Sequence, residues 1–338
     1  MTAAAVAAVA RGQAMWANPS SPHHEGRAAR AALEQARGAI AAAYGWRHET
    51  LLTSGASESL AIALGRSARR RRVISAVEHD AAIRAAGDAG VVPVGADGVI
   101  DLMALERLLD PPALVCVQWC NSETGVRQPI AAIAAIVHAA GGVLLVDAAQ
   151  MPATPELADH ADLVALSAHK RGGPPGCGAL LVRDLALLHP TGGQERGYRP
   201  GTENLPAALG YAAAVAEPEP DHAALRARLD DAVRRSGGIV VADDAPRHAA
   251  IGGYRLPGLA AAAQLIRFDL AGIAVSAGSA CASGSMKPSH VLRAMGWSEE
   301  ATREVVRVSF GRTTGAADVD RFIAAWRDVA RAARRLAA

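Results

Sequence analysis

The tetrapeptide Ser167-Ala168-His169-Lys170 follows directly on the apolar run Leu163-Val164-Ala165-Leu166. Of the 35 basic residues only Lys170 and Lys287 are lysines, in a chain that otherwise writes its positive charge as arginine. An amine can lose its proton and condense with an aldehyde, which a guanidinium cannot. Lys170 is therefore a candidate Schiff-base lysine for pyridoxal 5′-phosphate, the alternative being a surface lysine spared by chance.

Other reactive types recur at similar places. Asp147 closes the run Val143-Leu144-Leu145-Val146. A carboxylate there is costly to bury unless paired, and a pyridinium nitrogen would be such a partner; a cap for the next segment is the other reading. Glu78-His79 leaves the run Val73–Ala76 in the same way, with His79 either facing the same rim or serving as a satisfied structural histidine. Ser54-Gly55-Ala56-Ser57-Glu58-Ser59 is a small-residue turn opening a helix. Its backbone N–H groups and positive dipole end suit a phosphate, although such a turn also serves as a plain helix cap. Cys281 lies in Ser276-Ala277-Gly278-Ser279-Ala280-Cys281-Ala282-Ser283-Gly284-Ser285, where small neighbours leave nothing to bury its thiol, which argues for a reactive cysteine. Cys116, inside an apolar run, reads as core, while Cys120 and Cys177 flank the rim.

The elements that must carry these residues alternate. Short apolar runs at Thr50–Thr53, Val73–Ala76, Val91–Val94, Leu114–Val117, Val143–Val146, Leu163–Leu166 and Ala179–Val182 read as strands. Helical patterns at 25–43 (closed by Gly45), 57–67, 79–88, 101–109 and 129–140 precede or separate them. This is the grammar of an α/β domain with a mainly parallel sheet, whose ligands bind beyond the carboxyl ends of the strands. Composition shifts at Ala216-Glu217-Pro218-Glu219-Pro220-Asp221, which predicts a large domain over 1–220 and a smaller α+β domain over 221–338 carrying the Cys281 loop. In the second, helices are expected at 221–235, 259–271, 289–295 and from about 316, and strands at Ile239–Ala242, Ile273–Val275 and Val305–Phe310.

A formal charge of +2 gives no electrostatic reason to invoke nucleic acid or an anionic membrane, and the run Arg69–Arg72 reads as a solvated helix end. No apolar run approaches a bilayer span, and the alanine-rich first ten residues lack the basic start of a signal peptide, so a cytoplasmic protein is expected. The four cysteines show neither a metal-site spacing nor a disulfide framework, so reduced thiols are expected.

Together these segments resemble the cysteine desulfurases of the NifS/IscS type, in the class V aminotransferase superfamily with the aspartate-aminotransferase-like fold of pyridoxal-phosphate-dependent transferases. The likeness runs from Asn18-Pro19-Ser20-Ser21 to the C-terminal helix. It is carried by Ser54–Ser59, Glu78-His79, Asn121–Gly125, Asp147 with Gln150, Ser167–Lys170, Gln194–Asn204, Gly278–Cys281, Pro288–Leu292 and Val306–Phe310. The resemblance implies that Lys170 holds the cofactor and moves the substrate's Cα proton, that Asp147 keeps the pyridine nitrogen protonated, and that His79 stacks on the ring as acid or base. It implies that Gln150 reaches the phenolic oxygen, that Ala56, Ser57, Ser167 and His169 hold the phosphate, and that Thr202 completes this phosphate site from the neighbouring subunit of a homodimer. Arg307 is expected to take the carboxylate of L-cysteine. Cys281 is expected to take its sulfur as a persulfide and, as in the group I branch, to pass it to an acceptor protein, either an iron–sulfur scaffold or a carrier for tRNA thiolation.

Two departures from the family pattern bear on these expectations. Met1-Thr2-Ala3-Ala4 begins where the family's short first strand and its Ala-Thr-Thr-like turn should have ended, which implies a start further upstream or a substrate pocket lacking one wall. Ser122 stands where relatives have the second of two asparagines, which contacts the phenolic oxygen; its hydroxyl can still donate, with shorter reach. The competing expectations are another class V enzyme, an aminotransferase or a selenocysteine lyase, and an inactive accessory homologue.

Overall fold

The computed structural model describes residues 1–278 and 288–337. The chain forms two compact units: Met1–Val92, Leu102–Trp119 and Pro129–Glu219 make up the first, and Pro93–Asp101, Cys120–Gln128 and Pro220–Ala338 the second. The expected division after residue 220 therefore misses two excursions, 93–101 and 120–128. Side-chain bonds tie them together within the second unit: Gln128 Oε1 accepts from the Ile100 N–H at 2.9 Å and Gln128 Nε2 donates to the Gly98 carbonyl at 2.8 Å. The His248 N–H reaches the Gly125 carbonyl at 2.8 Å.

The first unit is built on seven strands: β1 (Glu49–Thr53), β2 (Arg72–Ser75), β3 (Gly90–Val92), β4 (Leu114–Gln118), β5 (Val143–Asp147), β6 (Leu163–Ser167) and β7 (Gly178–Val182). Their order is β1-β7-β6-β5-β4-β2-β3. Strand β7 runs antiparallel to both neighbours and every other pair is parallel. Strands β4 to β7 are buried at every position, as the near-continuous apolar runs of a parallel sheet covered on both faces require. Each fully buried leucine, such as Leu145, Leu163 or Leu180, contributes about 1.5–3 kcal/mol.

Helix His24–Ala43 ends as expected at Gly45, whose φ of 64° lets the Gly45 and Trp46 N–H groups close back on the carbonyls of Ala42 and Ala41 at 3.0 and 2.9 Å. Helices Ala3–Ala14 and Leu205–Val215 were not expected from the sequence, and they pack on each other. Their contact is made by small residues: Ala5, Ala8 and Gly12 form the buried stripe of the first helix. A Cβ on Gly12 would lie 2.6 Å from Pro206 Cα. Backbones approach this closely only where side chains are missing.

The second unit has a four-stranded antiparallel sheet of β8 (Ile239–Val240), β9 (Ile251–Arg255), β10 (Ser276–Ala277) and β11 (Val305–Ser309), ordered β10-β11-β9-β8. Its core joins helices Ala223–Arg235, Ala261–Leu270 and Ala316–Ala337 through Leu229, Tyr254, Phe268, Phe322 and Trp326, with Phe268 stacked on Phe322 at 5.0 Å. The strand expected at Ile273–Val275 is displaced to Ser276–Ala277. Helix Ala261–Leu270 ends in the same glycine motif, with Ile273 N–H on the Phe268 carbonyl at 2.9 Å, so these residues serve the cap before pairing can begin.

Among the described residues no helix is long and apolar enough to cross a membrane, and no cluster of His, Cys, Asp and Glu could hold a metal ion. Cys116, Cys120 and Cys177 are buried.

Candidate functional site

Register brings the reactive residues of the first unit to one edge of the sheet. Gln118 pairs with Asp147 across β4 and β5, and Asp147 with Ala165 across β5 and β6. Ser167 pairs with Gly178, which in turn pairs with Thr53. The carboxyl ends of β1, β2, β4, β5 and β6 thus deliver Ser54–Ser57, Glu78-His79, Asp147 and Ser167–Lys170 to a common rim.

Lys170 occupies a 3₁₀ turn, His169–Arg171, which ends at Gly172 with φ 80°. The turn is anchored by Arg171, which is buried and reaches the Gln150 carbonyl at 3.2 Å and Glu219 at 3.3 Å. On its other side Gly172 accepts a bond from the Thr2 N–H at 2.8 Å. Lys170 itself is exposed, so a rigid turn presents an accessible amine.

Asp147 is buried, and burial raises its carboxyl above the ordinary aspartate value. The Ala149 N–H at 3.0 Å pulls the other way, as do His79 and Lys170. The capping reading of Asp147 is seen directly, one oxygen accepting from the Ala149 N–H, and the carboxylate lies near His79 and Lys170. His79 caps helix Asp80–Ala86, and its Nδ1 accepts from the Ala81 N–H at 3.1 Å. In the neutral ring the proton is therefore on Nε2.

The start of helix Ala56–Gly65 has no side-chain cap. Gly55 precedes it at φ 149°, and a Cβ there would meet nothing within 4 Å. Glu58 is turned away from the first-turn amides, pairing with Arg199 at 3.1 Å and accepting from the Ser54 N–H. The Ala56 and Ser57 amides open the helix at its positive dipole end, beside the strand end where Ser167 Oγ and His169 Nδ1 lie 3.0 Å apart. Partial burial and the adjacent Lys170 lower the pKa of His169. An uncapped helix start next to hydroxyl and imidazole groups fits a phosphate, and a buried aspartate at a strand end fits a protonated pyridine nitrogen. The residues present suit pyridoxal 5′-phosphate.

Other expected site residues stand elsewhere. Arg307, on β11 in the second unit, donates to the Ser122 carbonyl at 3.3 Å and to Ser276 Oγ at 3.2 Å, so Arg307 and Ser122 are brought together there. Gln150 follows Asp147 by one turn. Thr202 is exposed in the loop before helix Leu205–Val215, and Cys281 lies outside the described residues.

Sequence reasoning overlooked two acids. Glu78 is fully buried, accepting from Ser75 Oγ and from the Gln118 N–H, and burial raises its pKa to about 8. Its position directly after an apolar strand and before His79 was the available signal. Glu195, within the segment Gln194–Asn204, is buried against Arg37 and accepts from the Leu52 N–H at 2.8 Å, so it pins that segment to β1.

The class V aminotransferase profile matches residues 4–322. A cysteine desulfurase of Cereibacter sphaeroides is 38% identical over 341 residues, covering 90% of this chain and 86% of that one. The structure of a NifS-like protein from Rickettsia africae superposes with a TM-score of 0.88 at 28% identity, covering 97% of this chain and 96% of that one. SspA, solved in complex with cysteine, gives 0.82 at 27% identity, with 93% and 97% covered.

Proposed function

Because this chain belongs to the class V aminotransferase family, and within it to the cysteine desulfurases, we propose that it takes sulfur from L-cysteine, releasing L-alanine and leaving a persulfide on Cys281. Its fold is that of the pyridoxal-phosphate-dependent, aspartate-aminotransferase-like transferases, and pyridoxal 5′-phosphate is its cofactor. The observation that carries the assignment of residues is the buried carboxylate of Asp147 held at a strand end in the field of His79 and Lys170.

When bound, the cofactor supplies an electron sink for the pair released as the substrate's Cα–H bond breaks. Lys170 would hold its carbonyl carbon, and the Lys170 amine then takes the Cα proton. Asp147 keeps a proton on the ring nitrogen, and His79, with its neutral proton on Nε2, acts as acid or base beside it. Gln150 and Ser122 serve the phenolic oxygen. The amides of Ala56 and Ser57, with Ser167 and His169, hold the phosphate. Arg307 offers a planar two-donor fork to the substrate carboxylate. Cys281 then attacks the substrate sulfur as a thiolate. An S–S bond forms as the C–S bond breaks, and the carbon left behind takes a proton to become alanine.

The enzyme acts as a homodimer in which Thr202 of one subunit completes the phosphate site of the other. It works in the cytoplasm and hands its sulfur to an acceptor protein, an iron–sulfur scaffold or a tRNA-thiolation carrier, with no direct contact to nucleic acid or membrane. The test is alanine and sulfide release from L-cysteine with a reductant, on the 338-residue protein and on Cys281→Ala side by side. Turnover should vanish in the variant although its cofactor absorbance persists. Undiminished alanine formation in Cys281→Ala would overturn the assignment of the sulfur acceptor.

A further inference from the structure

Glu78 is a fully buried carboxyl at the strand ends that the reaction above does not use. It lies between β2 and helix Asp80–Ala86, immediately before His79. Ser75 Oγ, at the end of β2, and the backbone N–H of Gln118, at the end of β4, both donate to its Oε1, at 2.5 and 3.0 Å. Gln118 is in turn the register partner of Asp147. Two acids are therefore held at adjoining strand ends in a region closed to water. Two donors on one oxygen, one from each strand, hold the carboxyl in place between β2 and β4.

We propose that Glu78 is a positioning residue that keeps a proton while Asp147 is ionised, so that the strand ends offer a single negative charge to the cofactor's ring nitrogen. The proposal rests on the functional reading above. Like carboxylates sharing a buried site do not ionise together without a large cost. The groups around the pair divide the roles. Burial and then Asp147 favour the proton on Glu78, against the donors Ser75 and Gln118. Asp147 itself has His79 and Lys170 on its side. Cys116, facing both acids from β4, is held well above its ordinary value by burial and by their charges, so it adds no charge of its own. In this arrangement Glu78 bridges β2 to β4 as a neutral acid, and its ionisation would place a second charge beside the one Asp147 presents.

Difference infrared spectroscopy of the purified full-length enzyme, between about pH 7 and about pH 9.5, tests this directly. The carbonyl band of a protonated carboxyl should disappear over that range in the parent and be missing from the difference spectrum of Glu78→Gln. The absorbance of the bound cofactor, titrated in a Cys281→Ala background to remove the thiol's contribution, should lose an alkaline transition when Glu78→Gln is added. Ser75→Ala removes a donor that favours the ionised form, and should move that transition up by about one pH unit. This variant keeps the proposal testable should Glu78→Gln fail to fold. An infrared difference unchanged in Glu78→Gln, or a transition that Ser75→Ala leaves in place, would overturn it. The infrared result does not depend on turnover, so a chain that shows the band yet leaves cysteine intact would sink the desulfurase reading alone.

Discussion

In Lys170→Ala the Cα proton has no amine to leave with. Alanine formation, followed by amino-acid analysis, should fall by about 10²–10⁴-fold. The fold should survive, because the side chain is exposed and the turn is anchored by Arg171 and Gly172. Glu78 makes a separate prediction about stability. Its folded-state value lies near 8 against an ordinary 4.5, so above pH 4.5 the folded protein binds more protons at this site than the unfolded chain. Its contribution is fully favourable below 4.5 and is lost as pH rises through about 8. Denaturant midpoints measured across this window should fall with pH in the parent, and the slope should flatten in Glu78→Gln. At this scale the sequence was informative wherever a residue's type was incongruous with its surroundings. A lysine in an arginine-rich chain and an aspartate at the end of an apolar strand could both be singled out. Glu78 gave a weaker signal from its place between Val77 and His79, because an acid beside a histidine looks solvated until its strand neighbours are known to enclose it.

The strands were legible for a related reason. Leu114–Val117 and Leu163–Leu166 are apolar at successive positions because both faces of the sheet are covered, and in these two the expectation missed only the last residue of the strand. Helices Ala3–Ala14 and Leu205–Val215 were not legible, since their contact uses glycine and alanine and carries no strong amphipathic pattern. Strand Ile251–Arg255 was hidden by two glycines. Gly252 lies against Arg226 and Tyr254, and Gly253 against Val241, so the residues that weaken the strand signal are there because neighbouring side chains fill the space. These contacts can be tested. Gly12→Leu drives a side chain into the Pro206 backbone, and should cost about 1–3 kcal/mol in urea unfolding. Trp326→Ala empties the aromatic stack of the second unit, and should cost about 3–5 kcal/mol.

For the molecule as a whole, the sequence marked the last passage from the first unit to the second but not the two brief earlier ones. Segments 93–101 and 120–128 have no compositional break at their ends, and what assigns them is their bonding to one another and to residues after 220. The proposed homodimer predicts a solution mass of twice the chain by light scattering. Thr202→Ala should then loosen the cofactor without unfolding either unit, since its side chain is exposed. Loss of one bond to a charged phosphate corresponds to about 1.5–3 kcal/mol, read as faster loss of the cofactor on dialysis.

The bond from the Thr2 amide to the Gly172 carbonyl has a practical side. It places the first residues against a carbonyl two positions along the chain from the reactive lysine. An affinity tag fused ahead of Met1 would emerge within a few residues of that turn, where it could crowd an incoming substrate or loosen the tether. Comparing fused protein with the same preparation after protease cleavage would show how far the working amine depends on what precedes it.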